Sequence, residues 1–437
     1  MSSRNRVAVI GAGLAGCEAA WQLSRLGIGV DLYDMKPQKM TPAHHSPDLC
    51  ELVCSNSLKS MRLENACGLL KEEMRRLGSL TMEAAYQNRV AAGDALAVDR
   101  EGFARYITEK IKSRGNIKTI CKEVEKIPEM PVIIATGPLT SDGLSSAIAE
   151  LVGEERLYFY DAAAPIIEAG SIDRSKTFRA SRYGQGADYI NCPMCEEEYK
   201  RFWEELSMAE TAPVHGFEDA LVFEGCMPIE NLAKRGYLTM AYGPLKPKGI
   251  FEPKTGKEPF AVVQLRQDDA AGTLYNMVGF QTRLKFPEQK RVFSMIPGLE
   301  KAEFARYGVM HRNTYINSPK VLAEDFSLRR NSSIYFAGQI TGVEGYVESA
   351  ASGMMAGLFL GCRMLKRPPP KFTPDTAMGA LARYISAEAK RGFQPMNINY
   401  GIMEPIPRRF RNKEDKYRLY AERSLEQINM IKNDSGF

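Results

Sequence analysis

The stretch Val7-Ala8-Val9-Ile10-Gly11-Ala12-Gly13-Leu14-Ala15-Gly16 constrains this chain more than any other. Four apolar residues read as a buried strand, three glycines follow at the spacing G-x-G-x-x-G, and Cys17 to Leu23 continue as an Ala-rich helix. Gly11 permits the tight turn, Gly13 lets a pyrophosphate approach the backbone, and Gly16 packs helix against strand. Amides at the helix start then face the phosphates. A second strand ends at Asp34, a carboxylate at the distance of a ribose hydroxyl ligand. The chain opens by building a dinucleotide site.

A length of 437 residues exceeds one ordinary core and predicts two domains, one interrupting the other. Residues 131–138 read as another buried strand, whose Ala135-Thr136-Gly137 ending is of the kind that returns to a dinucleotide in flavin domains, and taken alone is only a strand followed by a turn. Ser333 to Gly342 repeats the strand-then-glycine theme through Gly338 and Gln339, and Ser349 to Leu365 follows as a small-residue helix. Between these parts the texture changes to short strand-like runs: Leu221-Val222-Phe223, Phe260 to Leu265 and Tyr275 to Phe280. The expected fold is therefore α/β: a Rossmann-like domain from residues 1–157 and 307–437, interrupted by an α+β insertion with an antiparallel sheet at 158–306. A fingerprint near the start and a second strand-glycine-helix near the end suggest FAD clasped from both sides. No second G-x-G-x-x-G occurs, so a nicotinamide that reduces the flavin must share its pocket.

The net charge of +5 is mild but uneven: from Arg363 to Phe437 there are 15 Lys and Arg against 8 Asp and Glu. A basic end suits a polyanionic partner, although on charge alone a solvated helical surface is the favoured reading. Nothing near the start resembles a signal peptide, and the apolar run from Met354 to Cys362 is too short for a bilayer, so a cytoplasmic protein without membrane contact is expected. Nine scattered cysteines argue for free thiols.

Two of them invite chemistry. Cys226 precedes Pro228 and Glu230, residue types that mark a helix start, where the dipole favours a thiolate. Filling a strand end as a small hydrophobe is the alternative. Cys54 has a similar polar setting beside Ser55, Asn56 and Ser57, all helix-cap types, and the same ambiguity. Cys192-Pro193-Met194-Cys195 lacks further ligands at metal spacing and reads as a helix start, so no metal is expected. His311 lies among polar and aromatic groups suited to stacking on a planar ligand, or is simply structural.

Together these motifs resemble one family, the folate-dependent tRNA (uracil-5-)-methyltransferases called TrmFO, relatives of the larger GidA proteins. The likeness runs through Gly11 to Gly16, Met40 to His44, Val53 to Leu58, Ala135 to Thr140, Phe178 to Ala180, Arg182 to Gly184, Gly308 to Tyr315 and Gly342 to Tyr346. It implies that methylenetetrahydrofolate gives a one-carbon unit to reduced FAD and that the flavin passes it to C5 of a T-loop uridine in tRNA, with NAD(P)H as reductant. It further implies that Cys226 adds to uracil C6 and that Cys54 is the general base, because C5 is a poor nucleophile until a thiolate has added. The flavin contacts implied are Gly11, Ala12, Gly13, Leu14, Ala15, Gly16, Asp34, Gly137, Gly338, Gln339, Gly342 and Gly345, with His311 near the folate ring. A monomer is expected. Three alternatives stay open: a ribosomal RNA uridine as substrate, a plain FAD/NAD(P)H oxidoreductase of small molecules, and a flavoprotein that binds RNA as a folding aid without catalysing.

Overall fold

A computed structural model of the chain describes residues 6–41, 43–153, 157–212, 227–387 and 393–435. Its first strand, Arg6–Ile10, lies inside a six-stranded sheet. The order is Ser327–Leu328, Asn331–Phe336, Val132–Ile134, Arg6–Ile10, Gly29–Asp34, Ile117–Cys121. All pairings are parallel except that of the Ser327–Leu328 edge. Val7, Ala8 and Val9 are fully buried, as a strand covered on both faces requires; hence their apolar run is continuous rather than alternating. Ile10 stands opposite both Tyr33 and Ile134, and Phe336 opposite Ile134. The turns after these strands therefore leave the sheet at one edge, where ligands bind doubly wound folds.

Helices Leu14–Arg25 and Tyr346–Met364 cover this sheet and press on each other. A Cβ on Gly353 would stand 2.1 Å from the Ala15 carbonyl oxygen, and one on Gly357 2.8 Å from that of Ala19. Small residues on the later helix let the two backbones touch, so both glycine turns are held by one helix pair.

The insertion forms a second six-stranded sheet, ordered Phe178–Ala180, Tyr189–Met194, Ala261–Gln267, Leu274–Met277, Ile166–Glu168, Phe304–Arg306, antiparallel throughout. Its own core includes Met194, Leu265, Phe280 and Phe293, with Tyr199, Phe202 and Leu206 supplied by helix Glu196–Met208. The chain enters and leaves it through a two-stranded ribbon, Leu157–Ala162 paired with Met310–Tyr315. The run Leu221-Val222-Phe223 lies outside the described residues.

The polar, loop-like stretch at Ser55 to Ser57 caps no helix and runs into strand Ser57–Ser60, with the Asn56 side chain on distant partners, the carbonyls of Val98 and Gln267. One local expectation is shifted: Pro193 does not start a helix but lies in a strand, paired with Val262. The helix begins at Glu196, and Glu198 accepts from the Cys195 amide at 2.8 Å.

Candidate active site

The sheet edge opens into a cleft of about 1140 Å³, a volume that includes the solvent at its mouth. Residues Gly11 to Ala15 line it, as do Asp34, Gly137, Gly338 and Gln339. Gly16, Gly342 and Gly345 are not on its wall. A Cβ on Gly16 would stand 1.7 Å from the Gly11 carbonyl oxygen; one on Gly342 would strike the Phe393 ring, and one on Gly345 the Glu348 carboxylate. Gly342 and Gly345 also take positive φ, +83° and +113°, so the turn before helix Tyr346–Met364 needs them for its own path. Cys226 lies outside the described residues. His311 stands in the ribbon opposite Asp161, with only its backbone described.

The fingerprint is aimed from below. The Ala12 carbonyl accepts from the Cys17 thiol at 3.3 Å and the Cys50 amide at 3.0 Å. In a planar trans peptide the N–H points opposite to the C=O, so the Gly13 amide is turned toward the cleft. A Cβ on Gly13 would meet nothing within 4 Å, and no side chain caps the following helix. These are the features an approaching pyrophosphate needs. Burial, with the adjacent Cys50 second, pushes the Cys17 thiol well above its ordinary pKa, so it stays a neutral donor. Asp34 accepts from the amides of Ala12 (3.2 Å) and Lys36 (2.9 Å), which fixes its carboxylate at the end of the second strand.

At the other end of the cleft stands Tyr346, at the start of its helix. Its hydroxyl lies 2.9 Å from the Cys54 amide, 3.3 Å from the Ser55 amide and 3.0 Å from Cys54 Sγ. The two amides occupy its lone pairs, so its single proton is directed at the sulfur. Burial, reinforced by Cys54, raises the Tyr346 pKa well above the usual phenol value and keeps that proton in place.

Behind this pair the two domains meet through buried cations. Arg100 forms two hydrogen bonds to Asp268 (3.0 and 2.9 Å) and a third to the Leu52 carbonyl. Burial disfavours its charge, and the Asp268 carboxylate overrides that, holding its pKa above the ordinary value. Arg266 donates to Asn56 at 2.9 Å and Ser55 at 2.8 Å, and burial lowers its pKa. Both guanidinium groups interact electrostatically with Cys54.

Sequence reasoning gave no separate role to Tyr346, Arg100 or Arg266. An aromatic residue directly after Gly345 was the available signal for the first; nothing local marks the other two. The Cys192-x-x-Cys195 motif comes apart in space, Cys192 buried in the insertion core and Cys195 exposed. Among the described residues no group of three or more His, Cys, Asp or Glu could hold a metal, and no helix is long and apolar enough to cross a membrane.

The profile of the glucose inhibited division protein A family matches residues 6–368. Methylenetetrahydrofolate--tRNA-(uracil-5-)-methyltransferase TrmFO of Acetivibrio thermocellus is 58% identical over 420 residues, 96% of each chain. The Listeria innocua protein of the same name is 57% identical over 97% of this chain and 98% of its own. In fold, the chain is similar to Aquifex aeolicus GidA, with a TM-score of 0.69 at 15% identity, over 99% of this chain and 76% of that one. With a matching profile, relatives of that identity and a shared fold, the chain belongs to the TrmFO family within the wider GidA group.

Proposed function

We propose that this protein methylates C5 of a T-loop uridine in tRNA, taking the one-carbon unit from methylenetetrahydrofolate. FAD, reduced by NAD(P)H, supplies the carrier chemistry when bound. The cleft fits a flavin dinucleotide: the open space beside the Gly13 α-carbon leaves room for the pyrophosphate, Asp34 is fixed for a ribose, and Gly338 and Gln339 line the wall.

The observation that carries the reading is the Cys54 thiol beside the cleft, 3.0 Å from a phenol and under the influence of two buried guanidinium charges. A thiolate there takes the C5 proton once Cys226 has added to C6 of the uracil, and Tyr346 orients it. The two sulfurs divide the work: Cys226 makes C5 carbanion-like, and Cys54 removes the proton after the new carbon bond has formed. Phosphates are held by the basic tail, where Arg408, Arg409, Arg411 and Lys413 are exposed and have no ion-pair partner among the described residues. Such contacts fix register without reading bases.

The test is methyl transfer from labelled methylenetetrahydrofolate to a T-arm RNA, with flavin content measured in parallel. Cys54→Ala and Cys226→Ala should keep their flavin yet lose about 10²- to 10⁴-fold in transfer. A requirement for S-adenosylmethionine, or unchanged turnover in both variants, would overturn the proposal. Faster transfer to a ribosomal RNA fragment would move the substrate and leave the chemistry.

A further inference from the structure

Outside the cleft, one aromatic residue is held in a way the fold does not require. Tyr183 lies in the loop joining strands Phe178–Ala180 and Tyr189–Met194, at φ +58° and ψ +29°, with 67% of its surface exposed. A bulky residue pays steric strain in that left-handed conformation, which Gly or Asn adopts far more readily. The ring buries little core surface in return. It is nevertheless positioned: the Tyr183 amide donates to the Gly249 carbonyl at 2.8 Å, and one ring edge rests on Gly249, where a Cβ would stand 2.7 Å from two ring carbons. Arg182 donates to the Lys248 carbonyl at 2.9 Å and ties the two loops together. Lys246 and Lys248, in the segment that leads to Gly249, are exposed and have no ion-pair partner among the described residues.

The loop is also fastened to the junction that carries Cys54. Tyr189 pairs with Arg266, whose guanidinium reaches Ser55, and the Tyr189 hydroxyl donates to the Ala92 carbonyl at 3.1 Å. The Gly93 amide donates to Asp188 at 2.5 Å. An exposed ring, pre-set and flanked by free cations, is what recognition of unpaired nucleic acid uses: the ring face stacks on a base and the cations take the phosphates.

We propose that Tyr183 is a stacking platform for an unpaired base of the RNA substrate, with Lys246 and Lys248 on the adjoining phosphates. This rests on the RNA reading above and adds a second point of contact to it. The experiment is binding of a fluorescent T-arm hairpin RNA to the flavin-loaded protein over a range of salt concentrations. Tyr183→Asn keeps a residue that tolerates the backbone and removes the ring; its Kd should rise about tenfold with the salt slope unchanged. Tyr183→Phe should bind as the parent does, and Lys246→Ala with Lys248→Ala should flatten the salt slope by about two. An unchanged Kd in Tyr183→Asn, or an unchanged slope in the lysine variant, overturns the platform. A change in sedimentation of the RNA-free protein on Tyr183→Asn would instead assign the ring to a contact between copies of this chain, and overturn it too. Absence of RNA binding by the parent protein would remove the tRNA function itself, so the two failures are distinct.

Discussion

Behind the dinucleotide site the protein buries carboxylates; beside Cys54 it buries guanidinium groups. Glu18 is held at the start of helix Leu80–Gln87 by the amides of Leu80 (3.3 Å) and Thr81 (2.9 Å) and the hydroxyls of Ser79 and Thr81. Glu73 is held at the start of helix Ala377–Ser386 by the amides of Ala377 (2.6 Å) and Met378 (2.8 Å) and the Ser424 hydroxyl. Neither has an ion-pair partner among the described residues, because helix N-termini supply the positive end. At the junction the acceptors are a carboxylate, a backbone carbonyl and amide side chains, and the buried charge is positive. The nucleotide half fastens helices to one another with buried carboxyl groups. The junction fastens one domain to the other with cations, and both of them interact electrostatically with the thiol.

If that division is right, breaking the junction costs most. Asp268→Asn strands the Arg100 charge in the interior and should remove about 3–5 kcal/mol of stability in denaturant unfolding; a loss below about 1 kcal/mol would mean the pair is not a fastening. The carboxylate side shows itself in pH. Burial pushes Glu73 up to about 7 from 4.5, against the pull of its three donors. Between those values the folded chain keeps a proton that the unfolded chain has lost. This share of stability, roughly 3 kcal/mol, is whole below pH 4.5 and gone above about 7. Relative to the parent, Glu73→Gln should therefore flatten the stability-pH curve across that window, and parallel curves would contradict it. The smallest effect concerns the sulfur: Arg266→Gln should slow alkylation of Cys54 at neutral pH about tenfold, followed peptide by peptide with iodoacetamide. An unchanged rate would show that Arg266 only shapes the loop.

The nucleotide half was readable from the chain because its signals are local. The fingerprint from Gly11 to Gly16, the strand ending at Asp34 and the small-residue helix each declare themselves within a few residues, since glycine spacing and apolar runs are local consequences of close packing. The junction was not readable. Arg100 meets Asp268 168 residues away, and Arg266 meets Asn56 210 residues away. Each looks, in its own neighbourhood, like an ordinary surface charge or turn residue. Ser55 and Asn56 gave no local sign of their partners, because they meet Arg266 and Gln267 of the other domain, while the Ser57 hydroxyl accepts from the Lys59 amide. Cys54 drew notice through its polar neighbours, whereas what holds it, Tyr346, comes from 292 residues later.

The ribbon between the domains has an evolutionary consequence. Leu157 stands directly across from Tyr315, so the whole guest module departs from and returns to nearly one spot on its host. Splicing those two points together would cut no rung of the parallel sheet, and a simpler ancestral dinucleotide binder could acquire, exchange or shed such a module in a single genetic event.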